Sequence, residues 1–135
     1  MTSSRLPGKV LLPLAGKPSL ERLIERLRRS QYIDEIVVAA TDNAADLPLA
    51  DLAAKLGVKS WRGSENDVLK RVLDAIHSVQ GDIEVEVTGD IPLLDHALID
   101  QGIAELFTRR VDYVTNFIPP SFPVGIDVQV FPTAV

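Results

Sequence analysis

The sequence predicts an α/β protein built on a mostly parallel sheet, and two observations carry that prediction. Short apolar runs alternate with stretches of helical periodicity in the order β-α-β-α-β-α-β. Polar clusters then fall directly behind the strand segments, at Asp42, Gly63-Ser64, Asp90 and Asn116. Open α/β sheets bind ligands at that edge.

The elements follow in order. Leu20, Leu23, Ile24 and Leu27 lie at helical spacing with Glu and Arg between them, so residues 19–29 read as an amphipathic helix with Pro18 in its first turn. Residues 36–40 form a continuous apolar run, the pattern of a buried strand, ended by Thr41-Asp42-Asn43. Residues 47–56 read as a helix closed by Gly57, and residues 58–61 as a short strand. Ser64-Glu65-Asn66-Asp67 resembles a capping box, with Ser64 as the N-cap and Asp67 as its reciprocal partner. The buried face of the helix it opens is expected at Val68, Leu69, Val72, Leu73 and Ile76. Residues 83–87 alternate in polarity and end in Thr88-Gly89-Asp90, a strand and its turn. A helix over 98–107 and strands over 113–115 and 126–131 complete the chain, the last two separated by a Pro-rich loop.

Composition narrows the function. The 135 residues suit one domain with a real core. No apolar run approaches the roughly 20 residues that span a bilayer, and residues 10–15 follow a Pro-Gly turn rather than a charged leader. The chain has no cysteine, which excludes disulfides and thiolate metal sites, and a cytoplasmic location is expected. A net charge of −5 argues against general nucleic-acid binding, and no membrane partner is expected. The cations gather near the start, from Arg5 to Arg29, which is compatible with a small anionic ligand. Arg22, Arg26, Arg28 and Arg29 read as a solvated helix face. His77 and His96 have no partners at the spacing of a catalytic triad or a zinc site.

Ser3-Ser4-Arg5-Leu6-Pro7-Gly8-Lys9 can wrap a phosphate chain. Arg5 offers a planar fork, Lys9 a point charge, Gly8 a close backbone approach and Pro7 stiffness. A plain surface turn is the rival reading, since neither G-x-x-x-x-G-K-[ST] nor G-x-G-x-x-G is present. Asp90 can hold Mg²⁺ through a hard carboxylate oxygen, or it can be a turn Asp bonded to its own backbone. Ser64 reads first as a cap, although a helix N-terminus also attracts phosphate.

Ser4-Arg5-Leu6-Pro7-Gly8-Lys9 followed by Gly16-Lys17-Pro18 resembles the nucleotide-binding start of the sugar nucleotidyltransferases. Within them it is similar to the cytidylyltransferases of surface-polysaccharide synthesis, the spore-coat group above all. Residues 34–39, 62–69, 88–93 and 125–128 stand in the order that group shows. The resemblance implies a three-layer Rossmann-like fold of the nucleotide-diphospho-sugar transferase type. It implies CMP transfer from CTP to a sugar or sugar acid, with attack on the α-phosphate and release of pyrophosphate. Arg5 and Lys9 would hold the β- and γ-phosphates, with Ser4 and Gly8 in the same loop and Lys17 adding charge or fixing it. Asp90 would carry Mg²⁺. Asp42, Gly63, Ser64, Asp67 and Arg71 would lie near the base and ribose, and Asn116 and Asp127 near the sugar. A homodimer is also compatible with the family.

Three departures from the family pattern stand out. Its first buried strand has no counterpart in residues 1–4, and Pro13 makes residues 10–14 poor substitutes for a central strand. The segment that normally brings a second metal-binding Asp is not in this sequence. Glu86 stands where the family often has a basic residue. The expectation is therefore a single domain over 1–135 with an incomplete sheet. Its alternative function is an inactive nucleotide-binding or self-associating module of the same fold.

Overall fold

The computed structural model describes residues 6–120 and 122–133. In chain order the elements are β1 (Pro13–Leu14), β2 (Lys17–Pro18), α1 (Ser19–Leu27), β3 (Val37–Thr41), α2 (Leu47–Lys55), β4 (Lys59–Gly63), α3 (Val68–His77), β5 (Ile83–Glu86), α4 (His96–Arg109), β6 (Val114–Thr115) and β7 (Gln129–Pro132). They fall into two compact units, one of Asp34–Gly81 with the segment that ends at Gly8, and the other of Lys9–Ile33 with the segment from Asp82 onward.

In the first unit β3 and β4 pair in parallel, from Val37 opposite Lys59 to Thr41 opposite Gly63. Parallel neighbours need a crossover, and α2 supplies it. Gly57 closes α2 at a φ of 66°, a left-handed conformation that glycine adopts without strain. Both α2 and α3 pack on the pair, and the buried Ala40, Leu49, Ala53 and Ala75 form this core. The start of α3 differs from expectation. Asp67 is the N-cap, its carboxylate accepting from the Lys70 amide at 3.0 Å. Ser64 lies a turn too early for that role and instead accepts from the amides of Asn66 and Asp67 at 3.2 and 3.1 Å. Val68 and Leu69, expected on the buried face, are 51% and 69% exposed because they occupy the first turn.

The second unit opens with a 3-10 turn, Lys9–Leu11, and the β1–β2 hairpin. Ala15 and Gly16 at its tip have φ of 50° and 83°, the two positive values that a two-residue type I′ connection requires. The Ser19 amide then donates to the Leu12 carbonyl at 2.9 Å, so α1 begins where the hairpin closes. Leu20, Leu23, Ile24 and Leu27 are all buried, as their spacing predicts. Two of the helix cations are not merely solvated. Arg22 donates to the Leu14 carbonyl at 3.1 Å and to the Ala15 carbonyl. Arg26 Nε donates to the Leu94 carbonyl at 2.6 Å. Their guanidinium forks reach backbone oxygens left over by the hairpin and by the turn that follows Asp90.

The sheet of this unit runs β5-β7-β6, with β7 antiparallel to both neighbours. The connection from β5 to β6 contains α4 and leaves those strands codirectional, whereas the described residues of 116–128 hold no helix and the chain returns in the opposite sense. Asp95 caps α4 by accepting from the Ala97 amide at 3.0 Å. The helix comes close to β7 at Gly102, where a Cβ would stand 3.0 Å from the Val130 side chain. Ile99, Ile103 and Leu106 are buried on the same helix. The α/β, Rossmann-like class read from the sequence holds, but among the described residues the sheets are partly and not mostly parallel, since only the β3–β4 ladder pairs that way.

Candidate functional site

Lys9 and the metal candidate Asp90 meet in the second unit. The 3-10 turn places Lys9 beside α1, and the Thr88–Asp90 turn lies against the same corner. A Cβ on Gly89 would be 3.8 Å from both Leu20 and Val10, so this turn rests on the helix start and on the loop itself. Lys9 Nζ forms an ion pair with the Asp90 carboxylate. The two side chains are 35% and 37% exposed, a corner open to solvent and to a ligand. Lys9, and secondarily the Thr88 hydroxyl, hold the Asp90 carboxyl below its ordinary value despite partial burial. Asp90 is therefore a carboxylate at neutral pH. Gly8, at a φ of 68°, gives the turn before Lys9 its left-handed bend. Ser4 and Arg5 lie outside the described residues.

Lys17 is tied down within its own segment. Its ammonium pairs with Glu21 at 2.9 Å and with Glu25, and these carboxylates, Glu25 foremost, raise its pKa. These pairs tie the end of the β1–β2 hairpin to α1. Asn116 braces the β6–β7 connection: its side-chain amide donates to the Ile126 carbonyl at 2.9 Å, and its oxygen accepts from the Val128 amide at 2.9 Å. Asp127 is half-buried and makes no ion pair or hydrogen bond among the described residues.

In the first unit the remaining candidates gather at the carboxyl ends of β3 and β4. The Asp42 amide extends the ladder by donating to the Gly63 carbonyl at 2.8 Å, and its carboxylate is exposed. Gly63 packs closely on Arg71, since a Cβ there would stand 3.1 Å from its Cγ. Arg71 runs beneath it and donates to the Ser64 carbonyl, while its Nε is buried without a hydrogen-bond partner among the described residues. Asp67, as the cap of α3, spends one carboxylate oxygen on the Lys70 amide.

Sequence reasoning passed over two groups. Arg62 donates to the carbonyls of Thr41, Asp42 and Asn43 at 3.1, 2.6 and 3.0 Å. Nothing in a single exposed Arg within a strand pattern signals this. Glu84 is 7% exposed, and its Oε2 is buried with no hydrogen-bond partner among the described residues. Burial, with the charge of Glu86 two residues on, pushes its carboxyl up to about 7. Alternation along β5 was legible, but not that its polar face is covered at Glu84.

Comparison with known proteins places this geometry. A sequence profile of the cytidylyltransferase family matches residues 1–122. The spore coat polysaccharide biosynthesis protein SpsF of Bacillus subtilis is 38% identical over 117 residues, covering 84% of this chain and 49% of that protein. The 3-deoxy-manno-octulosonate cytidylyltransferase of Geobacter sulfurreducens is 34% identical over 104 residues, covering 77% and 41%. A solved cytidylyltransferase from Leptospira borgpetersenii serovar Hardjo-bovis superposes with a TM-score of 0.93 at 35% identity, over 99% of this chain and 57% of that one. The chain spans about half the length of the curated relatives it matches. Among the described residues no helix is long and apolar enough to cross a membrane.

Proposed function

We propose that this chain, which belongs to the cytidylyltransferase family, serves the transfer of CMP from CTP to a sugar or sugar acid of surface polysaccharide. The observation that carries the reading is the Lys9–Asp90 ion pair, which joins residues 81 positions apart. It puts a cation and a part-exposed carboxylate in one corner. Triphosphate handling asks for that pair of charges.

In this reading Lys9 leaves Asp90 when a triphosphate arrives and takes the β- and γ-phosphate oxygens, aided by Arg5. The Gly8 bend and the Lys17–Glu21–Glu25 cluster keep the loop in shape. Asp42 and residues 63–67 take the base and ribose, and Asp127 the sugar. A sugar oxygen attacks the α-phosphorus, its proton passes to water, the bond to the β-bridging oxygen breaks and pyrophosphate departs. The chain contributes positioning and charge rather than a covalent intermediate.

Magnesium fits the residues present. Asp90 offers one hard, ionised oxygen donor, and no three His, Asp or Glu side chains converge among the described residues. One carboxylate completed by phosphate oxygens and water is a common way to hold this ion. Its chemistry when bound is neutralisation of charge growing at the α-phosphate.

The test is pyrophosphate release from CTP with Mg²⁺ and a panel of sugar acids that includes 3-deoxy-manno-octulosonate. Release with one acceptor supports transfer. A CTP-dependent rise in melting temperature without release supports the inactive binding module instead. Lys9→Ala should weaken CTP binding at least about ten-fold in calorimetry, the loss of one charge-assisted contact. Unchanged affinity would refute the role given to Lys9.

A further inference from the structure

The carboxyl ends of β3 and β4 carry an arginine clamp. Arg62, the penultimate residue of β4, places Nε 3.1 Å from the Thr41 carbonyl and Nη2 2.6 and 3.0 Å from the carbonyls of Asp42 and Asn43. One guanidinium therefore grips three successive backbone oxygens. A lysine ammonium has no planar fork with which to reproduce that grip. The turn is held from its other sides as well. Thr41 donates through its amide and hydroxyl to the Asp46 carboxylate at 3.1 and 2.6 Å, and the Asn43 side-chain amide donates to Glu65 at 2.6 Å. Every anchor grips the turn around Asp42. The Asp42 carboxylate, exposed, makes no hydrogen bond or ion pair among the described residues.

Arg62 is itself exposed, and the carbonyls it binds are ones that water could satisfy. Such bonds contribute little net stability. What they do is fix position. We infer that Arg62 is a positioning residue for nucleotide binding: it locks the Thr41–Asn43 turn so that the Asp42 carboxylate is presented to the nucleoside without an ordering cost. The inference rests on the proposal that Asp42 contacts the nucleotide.

The test compares Arg62→Ala, Arg62→Lys, Asp42→Ala and the Arg62→Ala/Asp42→Ala double variant. CTP affinity is read by calorimetry and hydrogen exchange of the Asp42 amide by NMR. Expected are a loss of about ten-fold in CTP affinity for Arg62→Ala, partial recovery at most in Arg62→Lys, and faster Asp42 exchange in both. The double variant should bind no more weakly than Asp42→Ala, because Arg62 acts through that residue. Wild-type affinity in Arg62→Ala, alongside weakened binding in Asp42→Ala, overturns the inference and leaves the nucleotide reading standing. Losses that multiply in the double variant overturn it too, since Arg62 would then act independently of Asp42. Unchanged exchange at Asp42 removes the clamp itself. If Asp42→Ala binds CTP normally, the assignment of Asp42 fails first and the inference falls with it.

Discussion

Lys9 and Asp90 occupy each other's charge, and a ligand must separate them. Their pair is solvent-facing, so it is worth no more than about 1 kcal/mol. Asp90→Asn should therefore raise CTP affinity in EDTA by up to about five-fold, by freeing Lys9 and removing a repelling charge. The same variant should lose the gain that Mg²⁺ gives the wild type. Calorimetry in the two buffers checks both, and weaker binding in EDTA would count against the competition. Glu84 makes a prediction of another kind. Its folded carboxyl keeps a proton up to about 7, whereas the unfolded chain releases it near the ordinary 4.5. The folded state then holds more protons between those values, so stability falls as pH rises through that window and levels off above it. Glu84→Gln removes the effect, worth on the order of 2 kcal/mol. Its melting temperature should gain on the wild type from pH 5 to pH 8, and a constant difference across that range would refute the assignment. Neither residue's situation was legible in the sequence. Asp90 was visible as a strand-end acid, but its partner lies 81 residues away. Glu84 looked like any outward residue of an alternating strand.

Secondary elements were the more legible level, because their causes are local. The spacing of Leu20, Leu23, Ile24 and Leu27 fixes α1, and the apolar run before Thr41 fixes β3. Cap identity was less so, since Ser64 and Asp67 both suit a helix start and the choice depends on which side chain finds an open amide. The capping role of Asp67 is testable apart from any ligand. Asp67→Ala should lower stability by about 1 kcal/mol in urea unfolding, while Asp67→Asn, an equally good cap, should not. Loss of CTP affinity in the Asn variant at unchanged stability would give Asp67 a ligand contact as well. Strand direction was legible only where a helix intervenes. β7 runs antiparallel where the described residues of 116–128 hold none, and Asn116 ties the two ends of that connection together.

At the scale of the whole molecule, charge speaks to partners rather than to fold. With a net charge of −5 the protein should pass unretained through immobilised duplex DNA at low salt, and salt-dependent retention would contradict that. The clustering of cations near the start was legible and compatible with a small anionic ligand. That Arg22 and Arg26 of this cluster instead bind backbone oxygens was not, since a guanidinium looks alike in sequence whether it faces water or a carbonyl. The hairpin that Arg22 holds has a further consequence. The chain leaves its course at Leu12 and rejoins it at Ser19 through one backbone hydrogen bond. Residues 13–18 are thus a closed detour, with the ends sewn together. Arg22 fastens the far end of this detour to α1 through the Leu14 and Ala15 carbonyls, so a change of length at the tip is felt at the helix and is not lost in solvent.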